Sequence, residues 1–237
     1  MYFQHAPAIW RDFPELVPGV VWADGVTPAA DVAGGIARFS DIAQSRLAAA
    51  AESEFPEIQA WRRAFARMGL KPTQYRCASE SLLRRFRKEG SLPSLHPLVD
   101  LCNAISLAYA TPVAALDLTE IAGNLEVRYA TGDEEYQTFA GEEEHPAPGE
   151  VIFADEAGYA HARRWTNRQS GRSAVRDCTA SVLIVAEAQH ASAPADMPHL
   201  IATIAAELTA HWPASPATAL LTPTAPSFTP PHPSPLL

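Results

Sequence analysis

Two stretches of this 237-residue chain gather polar side chains in patterns suited to binding or catalysis. In Leu98–Leu107 an apolar helical stripe is interrupted by Asp100, Asn103 and Ser106. Steps of three residues bring such side chains near one another on a helix. A buried amide must be hydrogen-bonded or it costs stability. Asn103 therefore either braces a neighbouring loop or, together with Ser106, lines a pocket and binds a small polar ligand. The second stretch, Arg163–Ser173, holds four arginines, Trp165, Asn167 and Gln169. Guanidinium forks match phosphates, and an indole face can stack on a base, which makes Arg164, Trp165 and Arg168 candidate RNA contacts. The alternative is that these arginines simply pair with the acidic stretch just before them.

Other patterns carry less. Glu142-Glu143-Glu144-His145 is a consecutive run whose side chains do not converge on one ion, and the eight histidines lack ligand spacing. No phosphate-binding glycine loop and no serine-nucleophile motif is present, and the sequence asks for no cofactor and no metal. Cys102 has the type of a nucleophile, but a cysteine on an apolar helix serves as a small core residue. No catalytic residue emerges from the pattern.

The elements that must position these residues read as helices first and strands later. Thr27 or Asp31 caps a helix running to about Ala51, with Ile36, Phe39, Ile42 and Leu47 on one face. Pro56 opens a second, stopped at Gly69, and Ser79 begins a third that ends at Gly90 with Arg84, Arg85, Arg87 and Lys88 outward. Pro97 starts a fourth, closed by Thr111-Pro112. Leu125–Tyr129, Val151–Phe153 and Ser181–Ala186 read as strands, and Leu200–Leu208 as a closing helix. The fold class is α/β in the mixed α+β sense, with helices packed around a mixed or antiparallel sheet. One globular domain is expected over residues 1–211. Residues 212–237, rich in Pro, Thr, Ser and Ala, are expected to form a disordered tail.

Composition narrows the class further. Three widely spaced cysteines exclude a disulfide framework, and neither a long apolar run nor a secretion signal is present, so the expected address is the cytoplasm, away from membranes. Net charge is −9, yet 14 of the 18 basic residues fall within Arg62–Lys88 and Arg163–Arg176. A bipolar surface of that kind can attract phosphates on one side. Solvated helix faces give the same pattern.

Taken in order, Ser81-Leu82-Leu83-Arg84-Arg85, Leu92-Pro93, Pro97-Leu98-Val99-Asp100 with Asn103, Pro112, Asp117-Leu118, Ile121-Ala122-Gly123, Gly149-Glu150-Val151 and Arg164-Trp165-Thr166-Asn167-Arg168 form a recognisable series. Over roughly residues 10 to 190 it resembles freestanding relatives of the tRNA-editing (B-three/B-four) domain of the phenylalanyl-tRNA synthetase beta chain. The resemblance implies a second sieve that hydrolyses tRNA wrongly charged with tyrosine, with tRNA or aminoacyl-tRNA as partner. It places Cys102 and Asn103 where the synthetase has a Thr-Asn pair lining its pocket. Ser173, Val175 and Thr179 match a Ser, Val and Thr at that pocket's rim. Two departures bear on specificity: Ala114 stands where the family carries a His, and Gln169-Ser170 replaces a Gly-Gly pair. The sequence therefore supports a ligand set of Cys102, Asn103, Ser106, Asn167, Ser173 and Thr179, and an RNA set of Arg84, Arg85, Arg164, Trp165 and Arg168. Three functions fit: hydrolysis of mischarged tRNA in trans, non-catalytic binding of an amino acid-like ligand, and RNA binding without a pocket.

Overall fold

The computed structural model describes residues 1–231. Its centre is a four-stranded antiparallel sheet in the order β11 (Ala217–Leu220), β2 (Val17–Asp24), β10 (Ser181–Ala188), β3 (Val113–Asp117). Side chains alternate across a strand. Val21, Ala23, Val182, Ile184, Val113 and Ala115 accordingly share one face, packed on helices α2 (Ala33–Ala49), α5 (Pro97–Tyr109) and α6 (Ala193–His211). Val20, Trp22, Leu183, Val185 and Leu116 face the other way, into a second core.

That second core is closed by a six-stranded mixed sheet, β12 (Ser227–Phe228), β1 (Phe3–His5), β4 (Leu125–Tyr129), β7 (Val151–Asp155), β8 (Ala160–Arg163) and β9 (Arg168–Gln169), in which only β1 and β4 run parallel. Helices α1 (Pro7–Asp12), α3 (Pro56–Arg67) and α4 (Ala78–Glu89) contribute Ile9, Trp61, Phe65 and Leu83 to it. A short ribbon, β5 (Tyr136–Gln137) and β6 (Glu143–Glu144), completes the elements. The mixed α+β class expected from the sequence is the one observed.

Local chemistry explains the helix ends. Asp31 Oδ1 accepts from the Ala33 amide at the start of α2, and Gly90 takes the left-handed conformation (φ 77°) that ends α4. Pro97 opens α5 at a position with no amide to lose. Ala110 (φ 52°) turns the chain out of α5, and the Ser106 hydroxyl fastens that exit by donating to the Thr111 carbonyl at 2.6 Å.

Three expectations need correction. The order is not helices first, because β1 and β2 precede α2 and β2 lies inside the central sheet. Pro18 and Gly19 hide β2 from pattern reading. A Cβ at Gly19 would lie 2.4 Å from Ile201 Cγ1, so glycine is what lets α6 lie against the strand. Ile42 is not on the inward face of α2 but 44% exposed. Finally, the tail expected from residue 212 instead carries two strands, Ala217–Leu220 and Ser227–Phe228. Trp212 is buried and donates to the Thr27 carbonyl, β11 pairs with β2, and β12 pairs with β1, burying Leu221 and Phe228. The tail expected for residues 232–237 lies outside the described residues.

A chain ending at Pro213 is expected to melt about 10 °C or more below the full chain, followed by circular dichroism. Losing burial of Leu221 and Phe228 removes about 1.5–3 kcal/mol each, and 1 kcal/mol moves the midpoint of a domain this size by about 2–4 °C. Unchanged melting would show that the two strands only lie on the surface.

Candidate functional site

A cavity of about 600 Å³ opens between α5 and the segment 174–178. Its floor is apolar. Val113 and Ala115 come from one face of β3, and Val99 and Cys102 from α5. Asn103, Gln169 and His96 supply polar groups, and Leu95 and Phe139, 68% and 73% exposed, stand at its mouth. A mostly apolar cleft with a few fixed polar groups is the usual form of a small-molecule site. Next to it lies a cavity of about 70 Å³, which shares Val113 and Gln169 with the first. Alternation along β3 sends Ala114 and Leu116 into this smaller space. Gln169 is fixed at the junction, where its Nε2 donates to the Ala115 carbonyl at 2.8 Å.

The polar notch on α5 separates into three unrelated tasks. Asn103 is half-buried and lines the large cavity. Asp100 instead secures the loop before the helix, accepting from the Leu95 amide at 2.9 Å and the Ser94 hydroxyl at 2.8 Å. Ser106, proposed from spacing as a ligand contact, is fully buried at the helix exit and lines neither cavity. Cys102 does line the large one, but burial pushes its thiol up to about 12, so it is not a thiolate nucleophile at neutral pH.

The residues implied by the family likeness act mostly behind the wall. Thr179 Oγ1 accepts from the Arg176 amide at 2.9 Å and donates to Asp117 Oδ2. Ser173 is fully buried, and its carbonyl accepts from the Asp117 amide at 2.9 Å. Together they clamp the 173–179 segment onto β3, which sets the cavity wall without touching its interior. Asn167 lines the small cavity and donates through Nδ2 to the Arg76 carbonyl at 2.7 Å.

The RNA set fares differently. Arg164 and Trp165 both sit at positive φ (46° and 59°), a costly conformation for residues with a Cβ. The turn so made drives Trp165 into the core, 0% exposed, where its indole donates to Glu187 Oε1 at 2.9 Å. It has no free face for a base. Arg164 lies over the Tyr75 ring, and Arg168 pairs with Glu144 beneath the Tyr136 ring. Arg163 is held by Glu150. Burial acts to raise the Glu150 carboxyl, but the Arg163 guanidinium outweighs it and holds it below the usual carboxylate range. Arg84 meets Glu52, and Arg85 meets Glu89. Arg84, Arg85, Arg163 and Arg168 each have an acidic partner, whereas the Arg164 side chain lies on an aromatic ring.

His96 is the residue that sequence reasoning passed over. It is buried at the N-cap of α5, lines the large cavity, and its Nδ1 accepts from the Leu98 amide at 3.2 Å. Burial pulls its imidazole below the ordinary value, opposed by the carboxylates of Asp177 and Asp100. The available signal was its place just before Pro97, at a helix start. Among the described residues, no cluster of His, Cys, Asp and Glu could hold a metal, and no helix is long and apolar enough to cross a membrane.

Comparison with known proteins gives these features a family. The phenylalanine–tRNA ligase beta subunit of Legionella pneumophila (strain Lens) is 32% identical over 68 residues, 29% of this chain and 9% of the relative. That of Photorhabdus laumondii is 28% identical over 87 residues, 37% of this chain and 11% of the relative. The chain thus matches about a tenth of the length of these relatives. The crystal structure of an N-terminal fragment of the phenylalanyl-tRNA synthetase beta subunit from Pyrococcus horikoshii superposes with a TM-score of 0.40 at 12% identity, covering 51% of this chain and 41% of that one. The family model described as the B3/4 domain matches residues 60–197, more than half of the sequence, and the chain belongs to the B3/4 domain family.

Proposed function

We propose that the large cavity receives the aminoacyl end of a charged tRNA and that the chain hydrolyses the ester in trans. The observation that carries this reading is Asn103 opening on a mostly apolar space of about 600 Å³ next to an exposed rim. That volume falls in the range of small-ligand sites. Exposed Phe139 offers a ring on which the terminal base can stack. In the reaction, water adds to the acyl carbon and the bond from that carbon to the ribose oxygen breaks. The water's second proton ends on the ribose oxygen, releasing amino acid and free tRNA. Positioning of the water and the ester by Asn103, with the neighbouring ribose hydroxyl as proton relay, supplies the catalysis.

The family relationship supports a tRNA-linked role, since the matched relatives are phenylalanine–tRNA ligase beta subunits. The test is release of amino acid from a panel of mischarged tRNAs. Release above the spontaneous rate is expected, falling at least about tenfold in Asn103→Ala, the equivalent of one lost hydrogen bond to a reacting group. A panel that decays no faster than buffer rules the reading out.

A second reading, binding of an amino acid-like ligand without chemistry, is favoured by two details. The Cys102 thiol stays protonated, and Ala114, at the position of the family's His, faces the smaller cavity. It predicts thermal stabilisation by a free amino acid with no turnover of any charged tRNA.

A further inference from the structure

We propose that His96 is a specificity-determining donor in the large cavity, its Nε2–H reserved for the acyl oxygen of a bound α-amino acyl group, whether an ester carbonyl or a free carboxylate. The inference rests on the reading that this cavity takes an amino acid moiety.

The tautomer follows from the helix cap. Pro97 contributes no amide, so Leu98 presents the first N–H of α5, and it meets Nδ1 of His96 at 3.2 Å. An imidazole nitrogen that accepts must be unprotonated, and in the neutral ring the proton is then on Nε2. Nε2 is buried and has no hydrogen-bond partner among the described residues, while the residue is only 4% exposed and lines the cavity. A buried donor left alone is rare in folded proteins. Here its missing partner is an acceptor that arrives with the ligand. Because Nδ1 is engaged and Nε2 carries the proton, His96 gives a hydrogen bond and does not act as a base.

The surroundings suit an α-amino acyl group. His96 at the N-cap and Val99 and Asn103 on α5 fall at steps of three and four and all line the cavity, His96 and Asn103 about 10 Å apart along the helix axis. Asp177, on the opposite wall, is near enough for its charge to act on the imidazole, and its exposed carboxylate is available to an α-ammonium. Arg176, also in that wall, has its guanidinium engaged by the backbone. Its guanidinium donates to the carbonyls of Gly171 and Arg172 at 2.7 and 3.2 Å. An apolar side chain is left to contact Val99, Val113, Ala115 and Val175.

The decisive variant is His96→Asn. An Asn Oδ1 is a good acceptor for the first amides of a helix, so the cap is retained, while the longer reach of the imidazole Nε2–H is lost. His96→Ala removes both. Each full-length protein is titrated with the twenty free amino acids and assayed on the mischarged tRNA panel. His96→Asn is expected to melt close to the unsubstituted protein and to lose at least about tenfold in amino acid affinity or in deacylation rate, the size of one hydrogen bond to a charged or developing-charge oxygen. Equal binding and turnover in His96→Asn and the unsubstituted protein overturns the proposal, as does a loss confined to His96→Ala that tracks its melting temperature. If free amino acids bind in a His96-dependent way but no tRNA is deacylated, the donor assignment stands and the hydrolase reading falls. If the unsubstituted protein responds to neither set, both fall.

Discussion

Glu187→Ala is expected to lower the unfolding free energy by about 3–5 kcal/mol, because buried donors left without their acceptor cost about 1–3 kcal/mol each and a cavity adds to that. The reason is how much converges on one side chain in β10. Oε1 accepts from His5 Nε2 at 2.7 Å and from Trp165 Nε1 at 2.9 Å, and the backbone carbonyl of the same residue accepts from Trp61 Nε1 at 3.3 Å. His5 belongs to the six-stranded sheet and Glu187 to the four-stranded one, so this carboxylate ties the two sheets together. Around it Trp165 meets Trp61 and Phe13 edge to face at 5.1 and 4.7 Å. Without the carboxylate, two buried N–H donors lose their acceptor and a cavity opens between the sheets. Glu187→Gln retains an acceptor and is expected to lose less. Urea unfolding of the three proteins measures the difference, and a loss below about 1 kcal/mol for the alanine variant would mean that the aromatic packing alone holds the sheets.

Ala115→Phe is expected to abolish ligand binding and turnover, by about 100-fold or more, while the protein remains folded. Ala115 lies on β3 with its side chain toward the large cavity, and its carbonyl bond to Gln169 does not involve the methyl group. A phenyl ring at that position enters space the ligand needs instead of packed core, so the overpacking penalty seen in dense interiors is largely avoided. The melting curve and the deacylation assay separate the two effects. A folded variant with unimpaired activity would place the site elsewhere.

How much of this was legible in the sequence depended on whether local signals were strong. Helices α2 to α5 announce themselves through Asp31, Pro56, Gly90 and Pro97, because caps and proline act within a few residues. Strand β2 does not. It is buried on both faces and contains Pro18 and Gly19, so its partners, 150 and more residues away in β10 and β11, decide its conformation. The chain after Trp212 is misjudged for the same reason, since short strands rich in Ala, Thr and Ser acquire order only by completing sheet edges. Cys102 and Asn103, singled out through their place on α5, both line the large cavity. Ser106 and Trp165 instead point to the helix exit and the core, because spacing reports which residues are neighbours and not which way each one faces. His96 carried almost no signal, as a histidine becomes a reserved donor only once a helix cap has occupied its other nitrogen.

The register of the two sheets also has consequences for the time course of folding. Phe3 pairs with Leu125 on one side and Phe228 on the other, and Val20 pairs with Val185 and Ala219. On a ribosome the first two strands therefore emerge long before their neighbours exist, while the helices α2 to α5, made of nearby contacts, can form at once. Closure of long loops precedes any reward from such pairings. Until then the apolar strand β2 and the short β1 stand without partners, the stage at which edge-to-edge association is most favourable. Strands β11 and β12, which pair with β2 and β1, are made after every other strand of these sheets, so that exposure ends only when Ala217–Phe228 has been added.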